Sequence, residues 1–483
     1  MLITEQKEKG IYINGKWRDA IDGKTRTVLN PATLDILTEV TYGGKHEAMD
    51  SIAAAQAAFP SWAKKTARER SAFLYKGFEK MIEKKEELAK ILTSEQGKPL
   101  SEARAEIESA ASYLLWYAEE GNRIYGEIIP SSKANKRLLV VPQPIGVIAA
   151  ITPWNFPASM VTRKLAPALA AGCTVILKPA SQTPLTAIAI VKIFEEIGLP
   201  EGVLNLVTGN AKEIADTLTE DPNVRLITFT GSTEVGRELM KKSSQHIKKL
   251  SLELGGHAPI VVMDDADLDL AVNLTLASKF RNSGQTCICS NRIYVQNKIA
   301  MEFVKRLTEK VKEMKIGNGV DNDTNMGPLI DQDALEKVKD HVEDALKSGA
   351  TIVVGGREWN GPIQGYFYQP TILTDVTNQM KVMNEETFGP VLPIQYFEND
   401  DEVIEQANHI QYGLAAYVMT ESTNRAFKMM EALEYGIIGI NDVFPGTAEA
   451  PFGGMKESGF GKEGGREGIK EFVEMKYVSI GIS

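Results

Sequence analysis

Between residues 146 and 254 five short apolar runs alternate with helical segments, and no other feature of the chain constrains its fold as tightly. The runs are GVIAAI, CTVILKP, VLNLVTG, VRLITFTG and KKLSLEL. Between them the patterning predicts helices over about 159–171, 186–197, 212–218 and 234–242. Strands that are apolar along nearly their whole length must be covered on both faces, which points to a parallel sheet between helical layers. Right-handed crossovers then make this an α/β, doubly wound parallel sheet, with its ligand crevice at the carboxyl ends of the strands. A second β/α alternation runs from 260 to 440 (PIVVM, RIYVQ, TIVVGG, AAYVMT and GIIGIN, with helices near 267–280, 299–314, 333–347, 402–409 and 422–432) and predicts a second α/β lobe. Residues 46–120 repeat apolar positions at three and four with Lys and Glu between them, the pattern of helices packed on a sheet. The stretch 124–144 reads as an excursion of β type, and EMKYVSIGIS as a short strand with no hairpin partner nearby in the sequence. Both are expected to be able to pair across a subunit boundary.

Composition narrows the partners. A chain of 483 residues is long enough for two or three domains. A net charge of −10 repels nucleic acid and anionic membrane, so neither is expected as a partner. Three cysteines, Cys173, Cys287 and Cys289, exclude a disulfide framework. The start MLITEQKEKG carries no apolar leader core, and the apolar stretch near Leu165–Leu177 contains Pro167 and is too short for a bilayer. A cytoplasmic protein is expected. The five histidines are scattered, and a metal reading of Cys287–Ile288–Cys289 would need two more soft ligands, so no metal is expected.

Four motifs carry chemistry, each with a plainer alternative. In FTGSTEVGR a strand ends, Gly231 permits a tight turn and Ser232 can cap a helix. Such a helix start either binds phosphate or, as at many strand–Gly–helix junctions, holds nothing. The chain lacks a GxGxxG fingerprint. In LSLELGG, Leu250, Leu252 and Leu254 share one strand face while Ser251 and Glu253 point the other way. Glu253 is then a crevice carboxylate or a solvated surface one. In NSGQTCICSNR, Cys287 sits in a Gly-bearing loop that can lower a thiol's pKa, or it is a buried inert thiol. In TPWNFP, Asn155 can hold a carboxamide into the crevice, or is a turn residue beside a packing Trp154.

Taken together, TPWNFP, KPA, FTGS, LELGG, GQTC, EETFGPV and PFGGMKESGFG stand in the order found in the aldehyde dehydrogenase superfamily, and the chain resembles that superfamily over nearly its whole length. Cys287 follows Glu253 by 34 positions (287 − 253), the family's spacing between nucleophile and base. The resemblance implies that Cys287 attacks the aldehyde carbonyl, that Asn155 and the Cys287 backbone N–H form an oxyanion hole, and that Glu253 activates water against the thioester. It implies a proton-relay position at Lys164, ribose contacts at Lys178 and Glu386, a pyrophosphate contact at Ser232 and packing of Phe388 on the nicotinamide side. Thr152, Trp154, Ser181, Gly209 and Gly231 complete the implied cofactor set. The fold implied is a cofactor-binding domain over 1–122 and 145–254, a catalytic domain over 255–465, and a small β oligomerisation element over 123–144 and 466–483, assembling as a homodimer or homotetramer.

FPASMVTRKLAPALAAG, KPASQTP and KFRNSGQTCICSNR bring the resemblance to the succinate-semialdehyde dehydrogenases. There two arginines, matching Arg163 and Arg281, grip the distal carboxylate of a small anionic aldehyde, since a guanidinium binds a carboxylate in a two-pronged fork. The plainer alternative is that one of them pairs with a protein carboxylate. The loop VFPGTAEAPFGG departs from the serine-bearing loop common in that group, and Thr447 can replace the hydroxyl. Glutarate semialdehyde, sulfolactaldehyde, glycolaldehyde and lactaldehyde remain alternative substrates. A silent fold used for binding is disfavoured by the presence of Cys287, Glu253 and Asn155 together, and a CoA-acylating enzyme by Glu253. Ser181, neutral where NAD⁺-selective members often carry an acid, favours NADP⁺ slightly over NAD⁺. Some relatives use a cysteine pair as a redox switch, which makes Cys289 a possible partner of Cys287, against the geometry of residues two apart.

Overall fold

In the first sheet, the residues that alternate along each strand go to different cores. Ile148 and Ala150 of the strand Val147–Ile151 pack with the helices Ala67–Glu83, Leu100–Glu120, Ser159–Ala171 and Leu185–Glu196, while Val147, Ala149 and Ile151 pack with Lys45–Ala63, Ala211–Glu220 and Thr233–Ser243. Both faces are apolar because both are covered. Five strands run parallel in the order Leu204–Val207, Thr174–Lys178, Val147–Ile151, Val224–Thr230 and Lys249–Glu253. The computed structural model describes residues 7–482. Met1–Gln6, most of the segment in which no leader core is expected, and Ser483 lie outside the described residues.

All the strands and helices expected between 146 and 254 are present, with ends shifted by a residue or two. Antiparallel edges that the patterning does not announce extend this sheet: the hairpin Ile11–Ile13 with Lys16–Arg18 on one side, and Gly459–Phe460 on the other. Two- and three-residue strands leave no readable period. The second sheet has seven strands, parallel but for its edge Thr351–Val354, in the order Thr351–Val354, Thr371–Thr374, Val391–Phe397, Ser290–Gln296, Ala258–Val262, Ala415–Met419 and Ile437–Ile440. The strand Val391–Phe397 contains Pro393, a residue that argues against an interior strand in a sequence reading.

The third sheet is built from the β-type excursion and the C-terminal strand. The C-terminal strand Val473–Gly481 pairs antiparallel with Lys136–Pro144 of the same chain, from Val473 opposite Pro144 to Gly481 opposite Lys136, and Glu127–Ile129 flanks the other side. The two segments expected to be able to pair across a subunit boundary thus pair with one another within the chain, and Val473–Gly481 is an edge strand of this sheet, with no strand on its other side among the described residues. Ile128, Met475, Tyr477 and Ile480 remain exposed on it. Among the described residues no helix is long and apolar enough to cross a membrane.

Candidate active site

The site forms where the carboxyl ends of Val147–Ile151, Val224–Thr230 and Lys249–Glu253 meet the loop that enters Ser290–Gln296. The helix Leu268–Phe280 ends at Arg281, and Asn282, Ser283 and Gly284 then take left-handed backbone (φ 51°, 56° and 76°). At Gly284 a Cβ would lie 2.2 Å from the Gly389 carbonyl oxygen, so only glycine fits. This turn delivers Cys287 to the junction of two cavities, both of which it lines together with Met160. Burial, then the Glu386 carboxylate, pushes the Cys287 thiol up to about 12, against the pull of Arg163. Of the two readings of this thiol, burial favours the raised one: Cys287 sits in a turn leading into a strand. A base must take its proton. Cys289 is buried and turns its sulfur toward the Lys279 carbonyl at 3.6 Å, away from the cavities, and both thiols are free.

Glu253 is not a solvated carboxylate. It is buried at the end of its strand, and neither oxygen has a hydrogen-bond partner. Burial, then the Glu463 carboxylate, holds its pKa well above the usual range, with Lys164, Lys462 and Arg163 pulling the other way. A Cβ on Gly453 would stand 2.7 Å from Glu253 Oε1, so the glycine keeps space at the carboxylate. Lys164 donates to Glu463 Oε1 at 2.5 Å and to Thr228 Oγ1 at 3.1 Å. Glu463 was not singled out in the sequence. An acid set among the glycines of GFGKEGG, just past the quoted motif, is the signal that could have found it.

Asn155 donates from Nδ2 to the Gln285 carbonyl at 3.1 Å, which leaves its second amide hydrogen for another acceptor. It also lines a cleft of about 320 Å³ together with Trp154, Gly231, Ser232, Cys287, Glu386 and Phe388, with Lys337 and Asp333 as lining residues the motifs did not name. Trp154 meets Phe388 edge-on at 5.5 Å between ring centroids. Ser232 caps the helix Thr233–Ser243 by accepting from Val235 N at 3.3 Å, and Gly231 N donates to the Glu253 carbonyl at 3.0 Å. Glu386 accepts from Gly256 N at 3.0 Å, and burial raises its carboxyl to about 7. Thr152 Oγ1 is buried without a partner. Lys178 is buried at a strand end with no ion-pair partner among the described residues. Burial, then the charge of Arg26, lowers its amine to about 8. Ser181 Oγ donates to the Gly209 carbonyl at 3.4 Å. Of the residues expected to hold a cofactor, Trp154, Gly231, Ser232, Glu386 and Phe388 line this cleft, where the start of the helix Thr233–Ser243 suits an anionic group, whereas Thr152, Lys178, Ser181 and Gly209 are not among its lining residues.

The second cavity, about 80 Å³, is lined by Cys287, Phe156, Phe452, Arg163, Arg281 and Gly446. Arg163 lies between Phe452 and Tyr113, its guanidinium carbon 4.3 and 5.0 Å from their ring centroids. Its Nη1 comes within 4.0 Å of Glu463 Oε2, but Nε and Nη1 make no hydrogen bond although fully buried. Arg281 faces this cavity and a wider outer vestibule, over the rings of Phe156 at 5.2 Å and Phe444 at 6.0 Å. Thr447 is not brought in: it is exposed and its hydroxyl bonds Glu449, while Phe444 and Gly446 of the same loop line the cavity. A Cβ on Gly446 would meet only Arg163 Nη2, at 3.5 Å.

Two α/β sheets with a cysteine at the junction of a cleft beside a helix start and a cavity lined by two arginines are the arrangement in which the family is recognised. The sequence profile of the aldehyde dehydrogenase family matches residues 17–478, and the chain belongs to that family. It is 52% identical over 470 residues to the NADP(+) succinate-semialdehyde dehydrogenase of Escherichia coli, covering 97% of each chain. It is 51% identical over 471 residues to the glutarate-semialdehyde dehydrogenase of Pseudomonas putida, covering 98% of this chain and 97% of that one. The crystal structure of an E. coli NADP-dependent enzyme superimposes with a TM-score of 0.97 at 51% identity, covering 98% of each chain.

Proposed function

We propose that this aldehyde dehydrogenase oxidises an aldehyde with a distal carboxylate, succinate semialdehyde foremost, to the diacid with NADP⁺ or NAD⁺. The observation that carries the reading is Arg163, which lines the same cavity as Cys287 with two buried guanidinium nitrogens that make no hydrogen bond, one of them 4.0 Å from Glu463 Oε2. A buried donor without an acceptor is costly, and a substrate carboxylate would relieve it. Arg281 supplies the second cation, on the path from the vestibule.

In this reading Glu253, a stronger base than an ordinary carboxylate because it is buried, takes the Cys287 proton, and the thiolate adds to the aldehyde carbon. The carbonyl oxygen becomes an oxyanion held by Asn155 Nδ2 and the Cys287 backbone N–H. The bound nicotinamide supplies the hydride acceptor. Loss of hydride from the substrate carbon leaves a thioester on Cys287. Glu253 then takes a proton from water, the water oxygen adds to the thioester carbon, and the cysteine sulfur leaves as the acid forms. Lys164, held by Glu463 and Thr228, passes the proton from Glu253 outward.

The cofactor lies along Thr152, Trp154, Lys178, Ser181, Gly209, Gly231, Ser232, Glu386 and Phe388. NADP⁺ is favoured because the charge acting on Lys178 is another cation, Arg26, and Ser181 is neutral. Glutarate semialdehyde is a second reading, supported by the open space at Gly446 beside Arg163. We propose further that 1–122 with 145–254, and 255–465, act as cofactor and catalytic domains. The exposed apolar side chains of the three-stranded sheet would join a homodimer or homotetramer, and the free thiols suit a cytoplasmic setting. The deciding experiment is reduced-cofactor formation from aldehydes of graded length, with and without a terminal carboxylate. Equal kcat/KM for propanal and succinate semialdehyde would exclude the anion-binding reading.

A further inference from the structure

Beneath Asn155 lies a buried polar network that none of the steps above uses. Asn282 Nδ2 donates both to the Asn155 backbone carbonyl and to the Gln285 carbonyl, each at 3.1 Å. The Asn155 side chain donates to that same Gln285 carbonyl. One amide group of Asn282 thus ties the loop that carries Asn155 to the loop that carries Cys287, and the Gln285 oxygen accepts from both asparagines. Asn282 is itself held: Oδ1 accepts from Gln96 Nε2 at 2.8 Å. Lys98 Nζ donates to the Asn155 carbonyl at 2.8 Å and pairs at 2.6 Å with Glu106, both side chains being fully buried. Asn282 is 1% exposed and lines none of the three cavities around the site. It also holds a left-handed backbone, which persists in a non-glycine residue where the surroundings over-determine it.

We infer that Asn282 is a positioning residue for the oxyanion hole: it sets the direction of the Gln285 carbonyl, which fixes one Asn155 amide hydrogen and aims the other at the oxygen of the carbonyl attacked by Cys287. The inference rests on the reading of Asn155 as an oxyanion donor. Preorganised donors work only when they are held at the oxyanion's position before it forms. With the bridge removed, the Asn155 and Cys287 loops keep their own contacts but lose their common reference.

Asn282→Asp tests this. It keeps the size and the tolerance for left-handed backbone but removes both N–H donors. The single-turnover burst of reduced cofactor from succinate semialdehyde should slow by about ten-fold or more, with the Kd for NADP⁺ within about three-fold of wild type. Alkylation of Cys287 by iodoacetamide, followed by peptide mass, passes through no oxyanion and should also stay within about three-fold. In an Asn155→Ala background the same substitution should add little, since it acts through Asn155. Gln96→Glu, which keeps an acceptor for Lys98 N but removes the donor to Asn282 Oδ1, carries the same comparisons with a smaller effect should Asn282→Asp fail to fold. An unchanged burst, an equal slowing with and without Asn155, or a matching fall in alkylation would overturn the inference. An Asn155→Ala enzyme with an unimpaired burst would instead remove Asn155 from its role, and the inference with it.

Discussion

The two cavities that meet at Cys287 are built on opposite principles. Along the cofactor cleft much of the polar surface is already engaged within the protein: Ser232 caps a helix, Glu386 holds Gly256 N and Ser181 leans on the Gly209 carbonyl. In the aldehyde cavity the decisive groups are unengaged, above all Arg163 Nε and Nη1. The cleft offers a ligand a helix end and backbone groups, whereas the cavity offers a few side chains, Arg163 among them, with buried donors that make no hydrogen bond. Substrate choice should therefore respond steeply to single substitutions, and cofactor choice shallowly.

The largest effects should come from the atoms shared by both sides. Cys287→Ala should abolish acid formation, and Glu253→Gln should give a first burst of reduced cofactor and then little turnover, visible by rapid mixing. Because burial raises the Glu253 carboxyl, the base form is lost as pH falls through a value well above that of an ordinary glutamate. The acid limb of deacylation should lie correspondingly high. Full steady-state activity of Glu253→Gln at neutral pH would refute the assignment. Next come Arg163→Ala and Arg281→Ala, each expected to raise KM for succinate semialdehyde about ten-fold or more relative to propanal, since a charge-assisted contact is worth roughly 1.5–3 kcal/mol. Equal losses for charged and neutral aldehydes would erase the contrast between the cavities.

On the cofactor side a smaller, selective effect is expected. Ser181→Glu should depress kcat/KM for NADP⁺ much more than for NAD⁺. The Lys178 amine, lowered to about 8 in the free enzyme, is an ammonium below that value and neutral above it. NADP⁺ affinity measured by direct titration should therefore weaken as pH rises past about 8, more than NAD⁺ affinity does. The smallest catalytic effect should follow charges placed on the exposed sheet. Ile128→Lys with Ile480→Lys should lower the mass seen in light scattering, with no shift in preference among aldehydes or between cofactors. An unchanged mass would put the interface elsewhere.

What could be read from the sequence alone was what local pattern dictates. Strands such as Val147–Ile151 and helices such as Ser159–Ala171 announce themselves because side-chain period and burial on both faces leave a signature in consecutive residues. The residues proposed as nucleophile, base and oxyanion donor, Cys287, Glu253 and Asn155, could be picked out because each stands at a strand end or turn inside a short motif. Tertiary structure alone decided what depends on neighbours far along the chain. It raised the Cys287 thiol, joined Lys164 to Glu463 across 299 positions, paired Val473–Gly481 with Lys136–Pro144, and turned Thr447 out of the cavity while Gly446 stayed at its wall. The reason is physical. A pKa is set by burial and by whichever charges come near, and a long-range strand pairing by which edges are left free, and neither quantity exists until the chain has closed on itself.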